Sequence, residues 1–221
     1  MEEQIINMPA VALRGLTILP GMIAHFDVSR ERSLRAIEEA MEQDQRIYLV
    51  TQKNVDREDP TQEDLYQMGI VADIKQVVRL QNDVVRILVD GISRAKLLGF
   101  TGCEKYLEAE ICYFDSNKDS LPEDLREAML LGVREAFHRY AAVIGKISKE
   151  LIRQIDQYED LEKLIDYVTN NLPVSYELKQ QVLEAEDIND RYQVIVSLLL
   201  SQVEVISIKN ELQKKVKVRV D

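Results

Sequence analysis

Two cysteines, Cys103 and Cys112, are too few for the disulfide framework of a small secreted domain. They also lack a Cys-x-x-Cys pair and a close histidine, so they read as free thiols in or near a core, in a reducing cytoplasm, rather than as zinc ligands. Positive charge is equally short. Against 28 Lys and Arg stand 39 Asp and Glu, a net charge of −11 with a pI near 4.8. Such a surface repels phosphate, so neither nucleic acid nor an anionic membrane is expected as a partner. The opening MEEQIINMPA has no basic leader and no apolar core, unlike a signal peptide. The most apolar run, VIVSLLLSQVEVISI (194–208), holds Gln202 and Glu204 and falls short of the ~20 residues that cross a bilayer. It reads as a buried helix.

Catalytic signatures are missing too. The one Gly–Lys pair, Gly145–Lys146, is followed by Ile147 and has Tyr140 where a phosphate loop needs its first glycine. The stretch GISRA (91–95) begins like a nucleophile elbow, but Ala95 replaces the second glycine. There are only two histidines, His25 and His138, far apart and without an evident orienting partner. The carboxylates are many but scattered, with no calcium-loop array. Nothing supports an enzyme, a bound metal or a cofactor in these residues.

What is present falls into two halves with different periods. Up to residue 114 the chain is strand-like: VALRGLTIL and MIAHFDV flank Pro20–Gly21, and β-branched runs follow at 46–52, 69–80, 84–100 and 106–114. Gln81–Asn82–Asp83 predicts a tight hairpin, and Gly91 a bulge or bend. Ser29 is expected to cap one helix, with Leu34, Ile37 and Met41 at helical spacing beside Ala36 and Ala40. Thr61 with Asp64 predicts a short capped turn in an otherwise polar loop. The polar stretch 115–124 is the expected linker. Beyond it Leu125, Met129, Val133, Ala136 and Tyr140 form one helical stripe, and Leu161, Leu164, Ile165 and Val168 another. Pro173 closes that helix, Ser175 can cap the next, and Asp187 or Asn189 can open a last, long one. These residues predict an α+β chain: a β-rich lobe (1–114), a linker (115–124) and an all-α lobe of about five helices (125–221). The final helix runs on into a basic tail, a pattern expected of a chain cut from something longer.

The string VALRGLTILPGMIAHFDVSRERSLRAIEEA resembles the N-terminal domain of the Lon family of ATP-dependent serine proteases. Carrying the resemblance are Leu13 and Arg14, then Leu19 before Pro20, then Arg30, Glu31 and Ser33 at a helix start. It continues through LVTQKN, EDPTQEDLYQMGIVADI and VRILVDGISRAKLL, and the helical half is compatible with it. Ala12, Leu19 and the Ala24–His25 step depart from the family's commoner residues. The resemblance implies a six-stranded, barrel-like (PUA-like) β lobe with one helix, and a helical lobe whose long last helix leads into an ATPase module. It also implies a protease domain beyond that, with ATP and magnesium bound there; neither a Walker loop nor a Ser–Lys dyad lies in this chain.

The expected role is then a non-catalytic module of a cytoplasmic quality-control protease, engaging unfolded, damaged or regulatory proteins and delivering them to a hexameric ring. Six weak sites on one ring would add avidity. The alternative is a module that mainly self-associates to support the hexamer. Leu16, Ile18, Leu19, Met22 and Ile23, around the first turn, are candidates for substrate contact, while Arg14 reads as a tether for a loop or a carboxylate.

Overall fold

The computed structural model describes residues 4–113 and 121–218. The elements run β1 (Ile5–Leu13), β2 (Ile23–Val28), α1 (Glu31–Glu42), β3 (Arg46–Thr51), β4 (Met68–Arg79), β5 (Val85–Phe100) and β6 (Glu108–Tyr113). Then follow α2 (Glu123–Ile144), α3 (Lys149–Gln157), α4 (Leu161–Asn171), α5 (Tyr176–Glu184) and α6 (Ile188–Val218). The expected linker lies, up to residue 120, outside the described residues, as does Phe114.

Two compact units emerge. One holds all six strands with α1, and it also takes in Val174–Glu184 and so α5. Periodicity alone grouped that segment with the other helices, because a 3.6-residue repeat marks a helix without saying what it packs on.

In the strand-rich unit the order is β2-β5-β4-β3-β1-β6, and β6 also pairs with β5. Pairing therefore runs in a closed circuit through β1, β3, β4, β5 and β6, with β2 joined to the first half of β5. Only β1 and β3 are parallel. Their central residues are buried on both faces, which explains why both read as unbroken apolar runs. Alternate residues serve two cores: Val11, Leu13, Ile47 and Leu49 enter one, Ala10, Ala12, Tyr48 and Val50 the other.

The predicted hairpin is present, with Asn82 and Asp83 both left-handed at φ 59° and 56°. Gly91 sits at a register shift in β5, where a bulge bends the long strand. Helix α1 begins one residue later than expected, since Arg30 and not Ser29 occupies the cap and no side chain caps the turn. Ser33, Ala36, Ile37 and Ala40 form its buried face, while Met41 is exposed.

The helical unit follows its stripes. Met129, Val133, Ala136 and Tyr140 of α2 are buried, as are Leu161, Leu164, Ile165 and Val168 of α4; Leu125 is exposed. Gly145 ends α2 at φ 66°, the left-handed stop that favours glycine. Ser148, Asp160 and Asp187 each accept a backbone N–H at the start of α3, α4 and α6, at 3.1, 3.1 and 2.8 Å. Helix α6 corrects an expectation. Ile188, Arg191, Ile195, Leu198 and Leu199 are buried, but Val205, Ile208 and Leu212 are 56, 59 and 57% exposed. The apolar run is thus buried on one side of its first part only. By length and composition Ile188–Lys215 could span a bilayer, with 17% of the apolar window buried; a core helix passes the same test.

Candidate functional site

The first turn is shaped by what glycine permits. Gly15 and Gly21 adopt φ 64° and 74° and bracket Leu16–Pro20, so the segment doubles back over β5. It is pinned there by Gly21 N–H donating to the Gly91 carbonyl at 2.8 Å and Gly91 N–H donating to the Met22 carbonyl at 2.9 Å. A side chain at residue 91 would run into the Leu19 carbonyl oxygen.

This inward fold decides the fate of the five residues picked from sequence. Ile18 and Leu19 are 1 and 0% exposed and belong to the core, so they cannot touch a partner at the surface. Leu16 and Met22 are half-buried against that core, and Ile23 alone stands out, at 68% exposure.

A buried polar network holds the turn from beneath. The Thr17 hydroxyl lies 3.0 Å from Gln180 Oε1, 3.2 Å from the Tyr176 carbonyl and 3.2 Å from the Thr51 hydroxyl. Gln180 Nε2 donates to the Met68 carbonyl at 3.0 Å and to Glu184 Oε1 at 2.9 Å, and Met68 N–H donates to the same carboxylate oxygen at 3.0 Å. Thus α5 is fixed to the turn and to the start of β4. Tyr48, nearby in the core, donates to the Ala95 carbonyl at 3.0 Å. Burial, with Glu184 adding to it, pushes its phenol above the ordinary range.

Two openings flank the start of α1. The smaller, of about 150 Å³, lies between the ends of β1 and β2 and the first turn of α1. Its polar lining includes Arg14, Arg30, Ser29 and Ser33; Leu16, Phe26 and Val28 stand among its apolar walls. Arg30 donates through Nη2 to Gln52 Oε1. The buried Gln52 in turn donates to the Asn54 and Arg57 carbonyls at 3.1 and 3.0 Å. Arg14 donates to the Arg57 carbonyl at 3.4 Å, so the same loop is held by both. Burial holds the Arg30 guanidinium below its ordinary range, and the charge of Arg14 adds to this; Asp59 and Glu58 oppose it more weakly.

The larger opening, about 450 Å³, runs between α1 and the β4–β5 hairpin. Leu34, Ile37, Val77, Leu80, Val84 and Val85 make it mostly apolar. Ser29 lines both openings, which makes them neighbours.

Among the described residues no group of three or more His, Cys, Asp or Glu is placed to hold a metal. Among the described residues neither Cys103 nor Cys112 is in a disulfide. His138 Nε2 pairs with Asp156 Oδ1 at 2.8 Å within the helical unit, both side chains half exposed.

A family model for the substrate-binding domain of ATP-dependent protease La (LON) matches residues 7–201. The chain belongs to that family. It is 38% identical over 221 residues to the Lon protease of Lachnoclostridium phytofermentans, covering all of this chain and 27% of that protein. It is 31% identical over 218 residues to Lon protease 1 of Bacillus subtilis, covering 98% of this chain and 28% of the relative. The chain therefore spans about a quarter of the length of these relatives. In fold it is similar to the N-terminal domain of a Lon protease from the Mycobacterium avium complex, with a TM-score of 0.72 at 19% identity over 88% of this chain and 98% of the other. A Lon N-terminal domain protein from Xanthomonas campestris aligns at TM-score 0.58 and 13% identity, over 87% of this chain and 98% of the other. These likenesses establish the fold, an α+β chain with a six-stranded mixed sheet.

Proposed function

We propose that this chain captures unfolded or damaged polypeptides and presents them to an ATP-driven protease of which it forms a part, in the cytoplasm. The family match over residues 7–201 carries this reading. The apolar cleft along α1 supports it: an open groove lined by aliphatic side chains suits extended, sequence-tolerant contact with exposed apolar residues. ATP and magnesium belong, on this reading, to other modules of the parent protein.

Titrating the chain into a labelled, permanently unfolded polypeptide tests it by fluorescence anisotropy, with the folded counterpart as control. Saturable binding of the unfolded form alone is expected. Equal binding of both forms, or of neither, refutes capture by this module.

A second reading has its own observation. Val205, Ile208 and Leu212, three and four residues apart on α6, leave an apolar line in solvent, as self-associating helices do. On this reading the chain assembles with its own copies. Sedimentation of the chain at tens of micromolar decides it: a monomer ends the idea, and an oligomer abolished by Ile208→Glu supports it.

A further inference from the structure

β4 outruns the strand beside it. β3 pairs with it only from Ile70 to Asp73. One further bond, from Ile74 N–H to the Gln45 carbonyl at 2.8 Å, closes that side where the chain arrives from α1. Lys75 then falls at a register shift, and Gln76–Arg79 pair with β5. On their other side no strand pairs with them among the described residues.

The hairpin shows which backbone groups are open. Leu80 N–H donates to the Val84 carbonyl at 2.8 Å, and successive residues of an antiparallel strand turn their N–H and C=O to alternate sides. Leu80, Val78 and Gln76 therefore face β5, while Val77 and Arg79 turn theirs to the open edge. Such an edge recruits strands unless it is short, covered or charged.

This one runs beside an apolar cleft. Val77 packs against the core that includes Ile37 of α1, and Arg79 donates to Glu38 Oε1 at 3.5 Å. The two residues with open backbone groups thus border the cleft of about 450 Å³ with their side chains. A strand laid on the edge would turn alternate side chains into the same cleft, toward Leu34 and Ile37. β2 also has one unpaired side, yet the opening lined by its last residues is only about 150 Å³.

Charge decides the occupant. A second copy pairing antiparallel about Val77 would set Lys75 of one chain opposite Arg79 of the other, and like charges directly opposed destabilise a sheet. Both copies would also carry a net −11. The charged lining of the cleft is Glu31, Glu38 and Asp83 against Arg79 alone, which favours a segment with a basic residue beside its apolar ones.

We propose that the open edge of β4 at Val77–Arg79 takes up an extended polypeptide segment as an added antiparallel strand, with apolar residues at alternate positions entering the cleft along α1 and a basic residue near Asp83. The proposal rests on the substrate-binding reading above and names the conformation in which substrate is held. Pairing through the backbone gives affinity without reading sequence, and the cleft supplies the preference for apolar side chains.

The test uses the whole 221-residue chain and a short labelled peptide of alternating valine and serine. A lysine stands at its N-terminal end, which an antiparallel strand brings to the hairpin tip and Asp83. N-methyl groups are placed on every valine nitrogen or on every serine nitrogen. Residues opposite Val77 and Arg79 share their face of the sheet and turn their own N–H to β4, so the valine set is the sensitive one. Valine methylation should weaken binding about tenfold or more, the scale of two lost hydrogen bonds, and serine methylation less than about twofold. Glutamate in place of the lysine should cost about threefold, the scale of an exposed ion pair. Hydrogen exchange should slow at Val77 and Arg79 when the peptide binds. Equal effects of the two methylations overturn the proposal, as does slowing along β2 instead. So does a dimer of the chain alone that protects the same two amides, since the edge then belongs to a second copy. Only the peptide is altered, so unfolding of a variant cannot imitate the result. The two readings fail separately. If a long unfolded chain binds while the two methylated peptides do not differ, edge pairing falls and general capture stands. If the methylated peptides differ as expected but a long unfolded chain does not bind, general capture falls and edge pairing stands.

Discussion

Buried polar groups in the two units do different jobs. In the strand-rich unit Gln180 reaches Thr17 and Met68, which are 163 and 112 residues away in sequence. In the helical unit the buried Arg191 donates at 2.9 and 2.8 Å to the carbonyls of Ala185 and Glu186, only six and five residues back, with Glu162 at 3.8 Å. One network closes a topology; the other secures the turn beside its own helix. A fault in the first should therefore spread across the strand-rich unit, whereas a fault in the second should stay near the start of α6.

Glycine substitutions stress that comparison most. Gly91→Ala places a methyl group against the Leu19 carbonyl, where the neighbour is backbone and cannot turn aside. The loss expected is about 3 kcal/mol or more, the upper range of overpacking and strain. Hydrogen exchange should rise through the first turn and β5. Gly132→Ala in α2 meets only the Tyr192 phenol, the far end of a half-buried side chain that can swing away. Its cost should stay below about 1 kcal/mol, helped by alanine's better helix propensity. Urea unfolding of the two variants measures the difference, and comparable losses would contradict the distinction between the sites.

Gln180→Leu removes one side chain and leaves the Met68 carbonyl and Thr17 hydroxyl without it, for an expected loss of about 2–3 kcal/mol. Exchange should quicken at Met68 and around Thr17, far from the altered residue in sequence. Arg191→Met keeps much of the packing but strips donors from two carbonyls, for about 2 kcal/mol. Here faster exchange should be confined to the 185–186 turn and the start of α6. If either variant loosens both regions alike, the contrast between distant and local ties is wrong.

The same contrast explains what could be read from the residues beforehand. The α4 stripe, the α2 stripe apart from the exposed Leu125, the Asn82–Asp83 hairpin, the Thr61–Asp64 turn and the bend at Gly91 are local patterns, and each is present as read. Placement of α5 was not legible, because its key core residue is a glutamine whose burial depends on partners more than a hundred residues away. Nor was the burial of Ile18 and Leu19, which requires Gly91 to admit their backbone. The apolar run in α6 looked buried throughout because hydrophobicity states a preference for burial, not the presence of something to bury against. As for the pocket, Leu13–Arg14 and Arg30–Ser33 stood out in the family-like string, but nothing in their spacing said that they would meet.

Ser33→Ala carries the smallest expected effect and the most pointed sign. Most substitutions at a 94% buried helical position would cost stability, since Ser33 is only 6% exposed. The Ser33 hydroxyl is not among the buried side-chain atoms left without a partner, and alanine adds helix propensity, so this one should stabilise the strand-rich unit by about 0.5 kcal/mol. Urea midpoints measure it. A clear loss of stability would instead mean that the hydroxyl already has a structural task, and would move the polar ties of this pocket into the same category as those of Gln180.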